Sequence, residues 1–160
     1  MRRKEREVSD VKEIAQILSN CSTLRIAFPT PEAPPYVVPV IFGFSLQNDR
    51  FALFFHSAAA GRKVELIESG DVCKIGWETD RTIKIGALEN ANVPCAWSCR
   101  YESVIGTGVI ARLEGKEKTD GLSRIMEHYQ FPGKPQFDEK ILARTNVYRI
   151  DVTSISAKRH

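Results

Sequence analysis

The sequence predicts a mainly β (α+β) fold, or a barrel with helices at its periphery, in preference to a doubly wound sheet. Two observations predict it. About six β-branched or aromatic runs are bounded by turn signals, and helical patterns occur only between some of them, without strict β–α alternation. The chain has 160 residues, 42% hydrophobic and 27% charged, which fits one globular domain over 1–160. A chain of this length buries roughly 70% of its unfolded surface, so its core needs neither disulfides nor metals.

Asp10 is placed to cap a helix, with Glu13 three residues later to complete a reciprocal cap. Ile14, Ile17, Leu18 and Cys21 then share one helical face. Leu24 to Phe28 reads as a strand, and the proline cluster from Pro29 to Pro35 as a loop. Tyr36 to Leu46, the polar turn Gln47–Arg50 and Phe51 to His56 form a hairpin signal. Pro39 donates no backbone hydrogen bond, so its strand is expected at an edge or to carry a bulge. Gly61 to Ser69 reads as a short helix with Gly70 as a left-handed cap.

Val72 to Trp77 returns to strand pattern, whereas Arg81 to Val93 reads as a loop or a ragged strand. Tyr101 to Leu113 is a long strand in which Gly106 and Gly108 signal a bulge or a close backbone neighbour. Leu122, Ile125, Met126 and Tyr129 mark a second helix face, Phe131 to Pro135 a loop, and Thr145 to Ile155 a last strand.

Composition limits the function. A net charge of +3, with basic residues gathered at both ends and no interleaved aromatics, reads as solvated ends and argues against nucleic acid. No apolar run is long enough to cross a membrane, and no secretory leader pattern opens the chain, so a cytoplasmic location is expected. Cys21, Cys73, Cys95 and Cys99 are expected to be reduced, and neither they nor His56, His128 and His160 show metal-ligand spacing.

The stretch His56-Ser57-Ala58-Ala59-Ala60-Gly61-Arg62-Lys63 is the most informative. It leaves an apolar strand and enters a helix, where backbone N–H groups, an arginine fork and a lysine point charge would suit a phosphate. A solvated Arg-Lys pair is the other reading. The stretch is not a P-loop, and Gly106-Thr107-Gly108 opens no helix, so no dinucleotide fingerprint is present. Ser57 and Ser103 lack visible triad partners, and Trp97 and Tyr101 read as core or interface aromatics.

Taken in order, several pieces resemble one family. They are Arg2-Arg3-Lys4-Glu5-Arg6-Glu7-Val8, Tyr36-Val37-Val38-Pro39-Val40 with Phe42-Gly43, and Phe55-His56-Ser57-Ala58 leading to Gly61-Arg62-Lys63. Trp97-Ser98 with Tyr101 to Gly106, and Tyr148 to Val152 running on to Ala157-Lys158-Arg159, complete the set. Their combination resembles the FMN-binding split-barrel proteins related to pyridoxamine 5'-phosphate oxidase, in the nitroimidazole-resistance (NimA-like) branch. The resemblance implies a six-stranded antiparallel split barrel, a homodimer with FMN at the subunit interface, and a small-molecule electron donor and acceptor, a nitro compound among the latter.

It also implies roles. Val38, Pro39, Val40 and Ile41 would run beside the flavin ring, His56, Ser57, Arg62 and Lys63 would approach the phosphate, and Ser103 would reach the ring from another strand. Trp97 and Ser98 would come from a neighbouring subunit. His56 is the candidate catalytic residue, as a polar group or proton donor near the ring. The ending lacks the tryptophan of true pyridoxamine phosphate oxidases, which weighs against that substrate. Related split barrels bind haem or a deazaflavin, and a non-catalytic flavin- or haem-binding carrier or sensor is the alternative reading.

Overall fold

In the computed structural model, residues 3–30, 33–69, 73–87 and 93–160 are described. The elements in order are β1 (Glu7–Val8), α1 (Val11–Asn20), β2 (Leu24–Phe28), β3 (Tyr36–Val40), β4 (Gly43–Gln47), β5 (Arg50–Ala58) and α2 (Arg62–Glu68). There follow β6 (Cys73–Ala87), β7 (Trp97–Leu113), α3 (Gly115–His128), α4 (Glu139–Ala143) and β8 (Thr145–Arg159). All pairings are antiparallel, in the order β3-β2-β6-β7-β8-β5-β4, with β1 added on β8.

The sheet rolls around one main core. Leu24 of β2, Val40 at the end of β3, Leu53 of β5, Trp77 of β6, Val104 of β7 and Ile150 of β8 join the same buried cluster. Ile14, Ile17 and Leu18 of α1 are buried in it too, as the helical spacing predicts. A smaller cluster lies on the other face of the sheet. There Leu122 and Ile125 of α3 pack on Leu113 and Val147, with Phe54 against them.

The mainly β architecture agrees with the sequence, and six runs become eight strands: Glu7–Val8 adds a short strand on β8, and one long run divides for a physical reason. The run Tyr36–Leu46 divides at Ile41-Phe42 into β3 and β4, which pair with different strands, β2 and β5. Phe42 is fully buried, its N–H donates to the Tyr129 hydroxyl at 3.2 Å, and Gly43 lies directly against the α3 backbone at Arg124. The remaining part is the expected hairpin, turned by Asn48 and Asp49 at φ 50° and 60°, the left-handed pair of a two-residue loop.

Pro39 lies on β3, at the edge of the sheet, where a missing donor costs nothing. Asp10 caps α1 by accepting from Lys12 and Glu13 N–H groups, both at 2.9 Å. Glu13 itself is engaged by Arg159 at 3.2 Å, in place of the reciprocal cap. Of the two readings of Arg81–Val93, the ragged strand holds through Ala87: β7 pairs with it as far as Trp97, and the register shifts between Thr82 and Lys84. Gly70, Val72 and part of the loops at 29–35 and 81–93 lie outside the described residues.

Both glycine expectations hold on β7. Its register against β8 shifts between Thr107 and Gly108, and a Cβ on Gly106 would strike the Trp77 ring and the Ser154 carbonyl. Neither neighbour can yield easily, since Trp77 is packed in the core and Ser154 O is backbone. Gly106→Ala is expected to lower unfolding free energy by about 1–3 kcal/mol. Urea denaturation of the two proteins checks this, and equal midpoints would show that the indole has room to move.

Candidate functional site

Strand alternation decides what β5 presents. Phe51, Leu53, Phe55 and Ser57 point into the barrel, so Ala52, Phe54 and His56 face outward. Ser57 is buried, and its hydroxyl donates to the Ala58 carbonyl at 2.8 Å. Asn146, its register partner on β8, donates to the Tyr148 hydroxyl at 3.1 Å and reaches the Ala59 carbonyl at 3.5 Å. Tyr148 stacks on Phe55 with ring centroids 5.1 Å apart. Burial raises the Tyr148 pKa, while hydrogen bonds with Asn146 and Ser57 pull it the other way. This polar group ties the strand end, and the loop that follows, to β8.

Gly61 then turns the chain at φ 127°, a conformation side chains disfavour, and its carbonyl accepts from Val64 and Glu65 N–H groups at 2.9 and 3.1 Å. The turn places Arg62 and Lys63 side by side at the start of α2. The Arg62 guanidinium lies over the Tyr36 ring, 4.9 Å from its centroid, which joins α2 to the first residue of β3. Lys63 is half-buried, and desolvation pushes its pKa down. Among the described residues neither cation has a carboxylate within 4.0 Å.

His56 completes the group. Burial lowers its pKa, and the nearby Lys63 charge lowers it further. Among the described residues its Nδ1 is buried without a hydrogen-bond partner. An unpaired ring nitrogen and an under-solvated ammonium beside an unpaired guanidinium all leave energy to be gained from an anionic, hydrogen-bonding ligand. The residues therefore fit a phosphate.

The other expected site residues distribute as follows. Val40 is buried in the core, Val38 is half-buried, and Pro39 and Ile41 are exposed along the β3 edge that leads away from Tyr36. The register runs Pro39–Arg25–Glu78–Ile105 across four strands, and Ser103 is next on the same outer face of β7. Ser103 and Pro39 thus share a face about three strand spacings, roughly 14 Å, apart. Arg25 stands between them, paired with Glu78 at 2.6 Å and Asp80 at 2.8 Å.

His56 aligns through Val147 with Leu113, ten residues along β7 from Ser103, or roughly 33 Å of ladder. Trp97 and Ser98 lie further still, on a two-stranded arm, and Trp97 is 61% exposed. One chain therefore gathers His56, Arg62 and Lys63 with Tyr36, turns the Ser57 side chain into the barrel and away from them, and leaves 97, 98 and 103 apart from His56. Reading by sequence missed Tyr36, Asn146 and Tyr148 as supports of this site, since nothing in their local pattern marks a cross-chain partner.

Residues 10–159 match the family described as Pyridoxamine 5'-phosphate oxidase. This chain belongs to that family. Among curated proteins, none matches the sequence. Among solved structures, a candidate 5-nitroimidazole antibiotic resistance protein from Bacteroides thetaiotaomicron superposes with a TM-score of 0.75 at 24% identity, covering 95% of this chain and 85% of that one. An FAD- and haem-binding protein from Mycobacterium smegmatis gives 0.78 at 15% identity, over 96% and 73% of the two chains. A flavocytochrome from Azotobacter vinelandii gives 0.74 at 16%, over 100% and 72%. At these identities the likeness establishes the pyridoxamine 5'-phosphate oxidase-like fold.

Within that family fold, the site's titration can be predicted. His56 has a folded pKa below its ordinary value of 6.5, so its neutral form contributes stability above about pH 6.5 that is lost as pH falls through the folded value. His128 is depressed as well, chiefly by burial, so bulk stability would mix the two. A site-resolved NMR titration should place the His56 midpoint below 6.5. Lys63→Met should move it upward without reaching 6.5, because burial is the larger cause. A midpoint at or above 6.5 in the unaltered protein contradicts the buried geometry.

Proposed function

We propose that this chain is a flavoprotein whose Arg62 and Lys63 hold the phosphate of FMN, and that it passes electrons to a small acceptor such as a nitro compound. The observation that carries the reading is the unpartnered Nδ1 of half-buried His56 beside Lys63, with Arg62 next in sequence and no carboxylate within 4.0 Å of either cation among the described residues. Family membership and structural neighbours described as flavin-binding support it.

When bound, the flavin supplies two-electron transfer between a reduced donor and the acceptor. The protein's part is binding, orientation and proton handling. Arg62 offers a planar fork and Lys63 a point charge, and Tyr36 holds the guanidinium from below. The exposed edge of β3 from Val38 to Ile41 offers backbone groups for a planar ring, and Pro39 makes no demand there. His56, uncharged near neutral pH, offers an N–H on one ring nitrogen and accepts on the other, which suits a proton donor beside the acceptor.

The gap between His56 and the group Ser103, Trp97 and Ser98 favours a homodimer, with the Trp97 face of the partner's arm completing the site; Ser98 lies on the opposite face. We place the protein in the cytoplasm: its four cysteines are free thiols, which suits a reducing compartment. No helix among the described residues is long and apolar enough to cross a membrane.

The absorption spectrum of the protein as purified tests the cofactor. Flavin bands are expected; a Soret band would assign haem, and colourless protein that takes up no FMN would reject the reading. Arg62→Ala and Lys63→Ala should each weaken FMN binding by about 1–3 kcal/mol, roughly five- to 150-fold in Kd. Unchanged affinity in both would move the phosphate elsewhere, and sedimentation at the mass of one chain would remove the dimer.

A further inference from the structure

Beyond Tyr101, the last β7 residue bonded in the ladder to the end of β8, β6 and β7 continue as a two-stranded arm. Its two faces differ in kind. Ile85 and Trp97 are 69% and 61% exposed on one face, whereas Lys84, Gly86, Ser98 and Arg100 share the other. On that second face Lys84 stands directly opposite Arg100, and Ser98 directly opposite Gly86. Like charges facing each other across an antiparallel pair are destabilising, with Cβ atoms only about 4.5–5.5 Å apart.

Four arginines of the sheet are paired with carboxylates, while Arg50 and Arg81, like Arg100, have none within 4.0 Å among the described residues. Arg100 differs from these two in facing another cation across the ladder. Arg25 pairs with Glu78 and Asp80, Arg112 with Glu68 and Glu114, Arg149 with Asp151, and Arg159 with Glu13 and Glu102. Among the described residues, neither Lys84 nor Arg100 has such a partner. The side chains also enclose space. Lys84, Gly86, Ala87, Ser98 and Arg100 line a recess of about 70 Å³. It exists because Gly86 has no side chain, and the Lys84 Cε folds over it, 3.8 Å from where a Cβ would be.

We propose that this recess is an anion site, distinct from the one at Arg62 and Lys63, that takes the phosphate group of a small molecule. A doubly charged phosphate between Lys84 and Arg100 turns their repulsion into two charge-assisted contacts. The guanidinium presents a fork and the ammonium a point charge, while the Ser98 hydroxyl donates from the neighbouring position. Within one chain this site is remote from His56: Arg100 is thirteen residues along β7 from Leu113, roughly 43 Å of ladder. The inference does not depend on the flavin reading.

Inorganic phosphate is the probe, titrated into the protein with whatever cofactor it carries, at constant ionic strength, while backbone amides are followed by NMR. Saturable shifts are expected at Gly86 and Ser98, and Lys84→Gln or Arg100→Gln should weaken the apparent affinity about tenfold or more. Unchanged Trp97 fluorescence in the variants shows that the arm is still formed. Arg62→Ala should leave these shifts in place. Absence of saturable shifts, curves unchanged in both Lys84→Gln and Arg100→Gln, or their loss in Arg62→Ala would overturn the proposal. An equal response to acetate would overturn the assignment to phosphate.

Discussion

His56 and Ser57 are adjacent in sequence and face opposite sides of the sheet, and the site depends on their staying so. A one-residue slip of β5 on β8 would turn the histidine into the barrel and put the serine hydroxyl outside. Three contacts oppose that slip. Phe55 stacks on Tyr148 inside, Phe54 packs under α3 outside, and the tight loop at Asn48-Asp49 fixes β5 against β4. The inward polar group Ser57–Asn146–Tyr148 adds a directional constraint, since each oxygen and nitrogen there needs its partner in the low-dielectric interior. The cations at Arg62 and Lys63 inherit their position from this ladder, because only Ala58 to Gly61 separates them from it.

Long strands have the opposite effect on the rest of the candidate residues. β6 and β7 pair from Cys73 and Ile110 out to Ala87 and Trp97, with one shift near Ile83, so residues near their arm are carried far from the end that faces β5. Ser103 keeps company with Pro39 through the row containing Arg25 and Glu78, but cannot approach His56 within the same chain. A ribbon of two strands is marginal in water on its own. The apolar face of the arm, with Ile85 and Trp97, therefore gains from being covered, and covering it with a second copy would address both problems at once.

Much of this was legible where the determinant is local. The Asp10 cap, the inward face of α1, the strand at Leu24–Phe28 and the edge position of Pro39 follow from residues within a turn or two of each other. Gly106 and Gly108 were readable as close approaches, although the identities of Trp77, Ser154 and Ile150 as the neighbours were not. The break at Ile41-Phe42 was invisible because its cause, the Tyr129 hydroxyl and the α3 backbone, lies 80 or more residues away. Arg81 to Ala87 looked irregular because its residues are mostly exposed and so lack alternation; cross-strand pairing alone makes them a strand. The site shows the same division: His56, Arg62 and Lys63 were readable from one segment, and Tyr36, Asn146 and Tyr148 required the fold.

Unsatisfied polar groups need care as pointers to function. Trp77 Nε1 is also buried without a partner among the described residues, yet its ring lies over Gly106 in the packed core. It reads as the cost of filling the barrel with a large side chain whose apolar surface offsets one lost hydrogen bond. His56 differs in three respects. It lies on the outer face, it is coupled to a lysine whose own charge is under-solvated, and that lysine adjoins a guanidinium free of carboxylates among the described residues. Each deficit alone is tolerable in a marginally stable protein. Their coincidence at one strand end, where a single anionic ligand would relieve all of them, is what separates a binding site from a packing compromise.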